Sequence, residues 1–543
     1  MRSYSLVAEA LLLSSASAAL PELSIAKKFN RDLAPALRKR QAQDDGTVTT
    51  NVFDVITWST GGAYYANVTV GTPPQPQVVI LDTGSSDLYF DASTAEACES
   101  TGPYSCNGGE FTPKNSNTYT IIEQAPAFNA SYGDGSTAVG PFAADTIGIG
   151  DVLIENVQFG VAEEVNSTTG YAIGLMGIGY SAIEASRHLY SNMPEVLKKA
   201  GVINSRLYSI FLNSVDQTSG TILFGGIDTT KYTGPLVTLD LLPSLETTAS
   251  GNQVDQFIST VTAANATVNG QVNQMWYGGS PGINAYNAHD RALPVLLDTG
   301  SSAWSIPTDF YNQYVGPVFT YVDQYGTCPC SYRDSGDSLS LRFGDAVDIT
   351  ISAREFIVPI YNSTTNQPYP YPNSNDEACA FMLSSSQGTG QGFDTLGDAI
   401  LRSMYVVFDL DNGQVSIAQA NINSTEAPKV VTVQAGPSGV ASAVTNDVTP
   451  TGSQQYEIAP QVNGTLHFTA STAQSTIGSA TGTDAVPANA QADSTQTGGG
   501  SGGSSGTSTA AAAGLVVPGV HWASVYSVGI AVGMAAVGFG IML

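Results

Sequence analysis

Charge is scarce in this chain. Of its 543 residues only 12% are Asp, Glu, Lys or Arg, and just 19 are basic. So few cations cannot neutralise a run of phosphates, which excludes nucleic acid as an expected partner. Histidine is rarer still: His188, His289, His467 and His521 are scattered without metal-ligand spacing, so neither a metal nor a cofactor is expected. Cysteine occurs five times, too thinly for a scaffold built on disulfides, and the odd number leaves one thiol over. Sustained apolar runs are missing from the body of the chain. Short ones recur instead, punctuated by Gly, Pro and Asn, which reads as many short strands and an all-β class. At this length two packed lobes are expected rather than one core.

The charge that is present is mostly negative, and it is unevenly placed. Residues 1–40 hold seven of the 19 bases and three of the 46 acids, leaving twelve against forty-three, a net of −31, for the rest. Such a surface repels itself at neutral pH and relaxes as carboxylates protonate, so acidic working conditions are expected. Residues 1–18 have the small-residue ending of a signal peptide, with cleavage near Ala18 or Ala19. Residues 19–40 form a basic pro-segment suited to lie on the acidic body, ending at Lys39-Arg40, where a processing protease is expected to cut before Gln41. Two lobes are expected at 41–235 and 236–425, followed by a Ser/Thr/Gly-rich stalk at 426–505. Residues 506–543 combine small residues, a spacer and an uncharged apolar tail, the signal for a glycosylphosphatidylinositol (GPI) anchor attached between Ser501 and Gly514; a retained membrane helix is the alternative.

The strongest signal is a duplication. Val79-Ile80-Leu81-Asp82-Thr83-Gly84-Ser85-Ser86 returns as Val295-Leu296-Leu297-Asp298-Thr299-Gly300-Ser301-Ser302, 216 residues later. In each copy an apolar strand brings an Asp to its end. Thr83, Gly84 and Ser85, or Thr299, Gly300 and Ser301, then form a tight turn whose amides and hydroxyls can hold the carboxylate. Two such loops at matching strand ends suggest a shared cleft with Asp82 and Asp298 as a dyad. Two adjoining carboxyls cannot both ionise cheaply, so they share a proton. One can then take a proton from water while the other donates to a carbonyl oxygen.

These motifs resemble those of the pepsin-like aspartic proteases, and the resemblance covers about residues 60–420. Tyr64 to Gln75 is similar to the strand entering the first catalytic loop. Ser131-Tyr132-Gly133-Asp134-Gly135-Ser136 is similar to the flap that closes over substrate, with Tyr132 as its tyrosine and Asp134 as a polar contact. Leu175-Met176-Gly177 and Thr395-Leu396-Gly397-Asp398 resemble segments packed beneath each catalytic loop. The sequences Ile222 to Gly234 and Leu396 to Ala418 also match, the latter as a short helix and a hairpin turned at Asp411-Asn412-Gly413. Tyr89 departs from the pattern, standing where the family has the tryptophan that supports the flap. The resemblance implies a bilobal fold with a flap over a central cleft, hydrolysis of peptide bonds in secreted or cell-wall proteins, and a monomer. With the processing site, stalk and anchor signal it is nearest to the GPI-anchored yapsin-like fungal enzymes, placed at the plasma membrane or cell wall. The reading from another class is a protease-shaped wall protein without catalysis.

Other features carry less. Cys98 and Cys106 bracket a short loop and form an expected local staple; Cys379 can pair with Cys328 or Cys330. Sequons begin at Asn67, Asn129, Asn166, Asn265, Asn362, Asn423 and Asn463, and glycosylation of several is expected in a secreted chain. Asn192 to Gly201 has the cap, proline and closing glycine of a helix. Asp91, Glu96 and Glu99 read as solvated acids, with attraction of basic substrate side chains as the alternative.

Overall fold

The structure, a computed structural model, describes residues 46–445 apart from 56–62, 100–105, 107, 168–171, 218–219, 245–252, 278–292, 362–366, 387–392, 437–438 and 441–442, together with the short strands Gln455–Glu457 and His467–Thr469. The signal peptide, pro-segment, Arg40 and Gln41, the Gly/Ser tract, the anchor signal, and Asn362 and Asn463 lie outside the described residues.

The short apolar runs fold as strands, giving a bilobal all-β molecule. In the first lobe Ala63–Val70 and Gln75–Asp82 pair antiparallel, with Val70 opposite Gln75. The second of these strands then runs parallel to Gly174–Gly177, with Leu81 opposite Met176. In the second lobe Leu293–Leu297 pairs antiparallel with Ile258–Val268 and parallel with Asp394–Leu396, Leu297 lying opposite Leu396. Both copies of the repeat therefore end a strand that has a parallel neighbour. Val79, Leu81, Val295 and Leu297 are fully buried, so the apolar residues before each Asp anchor its loop to a core.

The two halves share a seam. Leu207–Phe211 pairs with Met404–Asp409, and Tyr232–Asp240 pairs with Gln414–Ala420, so strands from the end of the second lobe complete the sheet of the first. The lobe boundary expected between residues 235 and 236 thus falls inside a strand. The Asp411 carboxylate at the hairpin turn accepts from Arg206 Nε at 2.7 Å and Lys198 Nζ at 2.9 Å. Those donors hold its pKa down at about 2 against the effect of burial. Lys198 belongs to the helix Met193–Lys199, capped by Asn192 and followed by Gly201 in the left-handed region, at φ 72°.

The chain keeps packing beyond residue 425, which moves the start of any stalk. Val430–Thr432 pairs with Gly226–Asp228, and the Lys429 amide donates to Asp228 Oδ1 at 2.9 Å. Val433 donates to the Gly225 carbonyl, also at 2.9 Å. Val433 and Val440 are buried against Leu207, Phe211, Ile227 and Tyr405, and Val444–Thr445 adds a parallel strand beside Tyr232–Asp240. The described residues of this stretch, 427–436, 439–440 and 443–445, form a strap on the seam because these few apolar side chains find a waiting apolar surface there.

Cys98 pairs with Cys106, and Cys379 pairs with Cys330, at a Cα separation of 5.0 Å. Cys328 is therefore not a disulfide residue. It stands opposite Cys379 in the strand register, but its thiol is fully buried in the core and the bridge is made two residues on. Among the sequons, Asn166, Asn265 and Asn423 are exposed, whereas Asn67 and Asn129 are half-buried.

Candidate active site

Asp82 ends the strand Gln75–Asp82, and Asp298 follows Leu293–Leu297. Neither is exposed to solvent. The strands bring them face to face, as the glycines beside them show. A Cβ built on Gly84 falls 2.6 Å from Asp298 Oδ1, and one on Gly300 falls 2.5 Å from Asp82 Oδ1. Each glycine is required because the opposite carboxyl occupies its side-chain space.

The threonines lock this arrangement across the two lobes. Thr83 Oγ1 donates to the Leu297 carbonyl at 2.7 Å and accepts from the Thr299 amide at 3.0 Å. Thr299 Oγ1 donates to the Leu81 carbonyl at 2.8 Å and accepts from the Thr83 amide at 3.1 Å. All four residues are buried, so each hydroxyl both donates and accepts away from water, and the spacing of Asp82 and Asp298 is held by a reciprocal pair of clamps. Beneath the loops, Ile178 donates to the Asp82 carbonyl at 2.9 Å, and Asp298 donates to that of Leu396 at 3.1 Å. Cβ atoms on Gly177 and Gly397 would fall 2.4 Å from the Ser86 nitrogen and 2.3 Å from the Ser301 oxygen, which explains the glycine in each supporting segment.

The two carboxyls are not equivalent. Asp82 accepts from the Gly84 amide at 2.7 Å and from Ser85 Oγ at 2.5 Å. Asp298 accepts from the Gly300 amide at 2.8 Å, while its buried Oδ2 has no hydrogen-bond partner among the described residues. Ser301 therefore does not repeat the role of Ser85 as the repeat would suggest; it is a backbone support, its carbonyl accepting from Asp398 at 2.8 Å. Burial raises both pKa values, and the charge of Asp82 raises that of Asp298 well above the carboxylate range. Asp82, with more donors, is the better home for the negative charge, and Asp298 for the shared proton.

The matching family model is that of the eukaryotic aspartyl proteases, over residues 63–420. The chain belongs to this family. It is 32% identical over 397 residues to a probable aspartic-type endopeptidase, OPSB, of Arthroderma benhamiae, covering 71% of this chain and 74% of the relative. It is 33% identical over 373 residues to candidapepsin of Candida tropicalis, covering 67% and 81%. Secreted aspartic protease 8 of Candida albicans is 31% identical over 391 residues, covering 71% and 82%. As an aspartic-type endopeptidase of the pepsin-like kind, this chain hydrolyses polypeptides.

The flap residues close the hairpin of Thr120–Ser131 and Thr137–Ile149. Tyr132 is 9% exposed, and its ring lies 6.4 Å from that of Tyr89. Tyr89 is also buried, and its hydroxyl approaches the Ile173 carbonyl at 3.5 Å. Tyr89 thus places a ring behind Tyr132. Asp134 lies in the flap turn, where its carboxylate accepts from the Ser136 amide at 2.8 Å and Ser136 Oγ at 2.7 Å; Gly133 is exposed and Gly135 supplies φ 87°.

Sequence reasoning missed two features here. Asp91 is not a solvated acid: it is fully buried with both oxygens unpartnered among the described residues, and burial pushes its pKa up to about 7. Glu96 and Glu99 are exposed as expected. Asp87 and Glu184, both buried, form a polar cluster with the half-buried Tyr190 next to the first catalytic loop. Asp87 stood in the sequence five residues after Asp82, but nothing local marks its partners almost a hundred residues on.

Proposed function

We propose that this enzyme is a secreted, GPI-anchored endopeptidase acting at acid pH on proteins at the cell surface or wall, with Asp82 and Asp298 as its reacting pair. The observation that carries the chemistry is the opposed burial of the two carboxyls, each against the other's glycine. Asp82, ionised, takes a proton from water as the water oxygen attacks the scissile carbonyl carbon. Asp298, protonated, donates to the carbonyl oxygen. Collapse of the resulting diol returns a proton to the leaving amine and breaks the C–N bond. Tyr132 and the flap hairpin cover an extended peptide bound by its backbone, excluding water. Support for secretion comes from the secreted relatives and the disulfides, and for the anchor from the C-terminal sequence alone. Removal of the basic segment after Arg40 is proposed to release activity.

The test is hydrolysis of a peptide library by the processed enzyme between pH 3 and 7, with Asp298→Asn and pepstatin as controls. Cleavage that fades as Asp298 loses its proton and is abolished by both controls is expected. Undiminished cleavage by Asp298→Asn would sink the reading. Release of the protein from intact cells by a phosphatidylinositol-specific phospholipase tests the anchor separately.

A further inference from the structure

The first catalytic loop continues into Asp87, whose side chain is fully buried. Its Oδ1 accepts from the Tyr190 hydroxyl and its Oδ2 from the Ala185 amide, both at 2.7 Å. Glu184, 2% exposed, accepts from the Tyr190 amide through Oε2 at 2.8 Å. Residues 184–190 are thus pinned to the catalytic loop by the Ala185 amide and the Tyr190 hydroxyl, and tied within by Glu184.

The ring of Tyr190 leads elsewhere. It meets Phe142 edge-on at 5.4 Å; Phe142 meets Phe128 at 5.5 Å; Phe128 lies 5.5 Å from Tyr89, and Tyr89 lies 6.4 Å from Tyr132. Phe128 and Phe142 belong to the two strands of the flap hairpin. One residue therefore joins the catalytic loop, through its hydroxyl, to the stem of the flap, through its ring. Closely packed rings transmit a displacement because they leave no room to absorb it.

We propose that Tyr190 is a positioning residue for catalysis: held by Asp87, it fixes the flap stem, and through it Tyr132, at a set height over the dyad. It rests on the reading of Asp82 and Asp298 as the reacting pair. The groups facing Tyr190 are Asp87 and Glu184 from its polar side and Phe142 from the hairpin, with the Glu195 charge acting on Glu184. Burial pushes the pKa of Asp87 up to about 6 and that of Glu184 to about 10, so below pH 6 both carboxyls are neutral, and a protonated Asp87 can still bridge the Ala185 amide and the Tyr190 oxygen.

Tyr190→Phe in the processed enzyme keeps the ring and removes only the clamp. One lost buried hydrogen bond corresponds to about a tenfold change, expected in the KM of a fluorogenic peptide and the Ki of pepstatin. The pH profile of kcat should stay in place, because the dyad is untouched. Asp87→Ala should reproduce the defect. Asp87→Asn should restore binding, since its amide can donate to the Tyr190 oxygen while its carbonyl accepts from Ala185. Wild-type KM and Ki in a Tyr190→Phe enzyme that merely melts lower would overturn the proposal, even if Asp87→Ala fails to fold. Undiminished activity of Asp298→Asn would instead bring down the dyad reading, and this inference with it.

Discussion

At Gly84 and Gly300 the space for a side chain is already taken by the carboxyl across the cleft. Gly84→Ala must push Asp298 away, and a displacement near 1 Å costs about a hundredfold in catalysis. Its kcat should fall by at least roughly that factor with the circular dichroism spectrum unchanged. Asp91 acts on stability instead. Its pKa is about 7 in the fold and roughly 3.9 in the unfolded chain, so below about pH 4 it costs nothing. Between those values the unfolded chain releases a proton that the fold retains. Stability is lost as pH rises, reaching at most about 4 kcal/mol by neutrality. Asp91→Asn should match wild type in thermal melts at pH 4 and exceed it at pH 7.

Among the elements, the strap at 427–445 makes the clearest demand on experiment. Val433 and Val440 are the buried part of it, and withdrawing two such side chains costs roughly 3–6 kcal/mol. A chain ended at residue 425 should therefore melt well below one ended at 445, with hydrogen exchange rising first in Gly226–Asp228 and Tyr232–Asp240. The contrast with other elements shows what a sequence discloses. The two Asp-Thr-Gly loops, the flap turn, the capped helix Met193–Lys199 and the hairpin at Asp411-Asn412-Gly413 are local: their residues state the backbone they need. The strap is not local. Its four valines from 430 to 440 are spread through Thr, Gln, Ala, Gly, Pro and Ser, and only a surface some two hundred residues earlier gives them meaning. The same holds for Asp91, whose burial depends on neighbours from other strands. It also holds for Cys328 and Cys330, on either side of Pro329: the strand Thr327–Pro329 ends between them, and spacing alone does not show where it ends.

For the whole molecule, charge and topology set the working range. Beyond residue 40 the chain carries a net of −31, and this repulsion adds to the cost of Asp91 as pH rises. Added salt should raise the melting temperature at pH 7 and change it less at pH 4, where about half of the carboxylates are neutral and the net charge is correspondingly small. The seam has a further consequence, in the order of synthesis. Leu207–Phe211 lies between Gly220–Phe224 and Met404–Asp409, so one side of it stays bare until nearly two hundred more residues have been made. At about 5–20 residues per second the ribosome leaves that edge open for some ten to forty seconds. An open edge pairs with any strand that meets it. The nascent first lobe is thus a client for chaperones in a way that the finished enzyme is not, and overexpression should fail first at this stage, by aggregation of half-made chains.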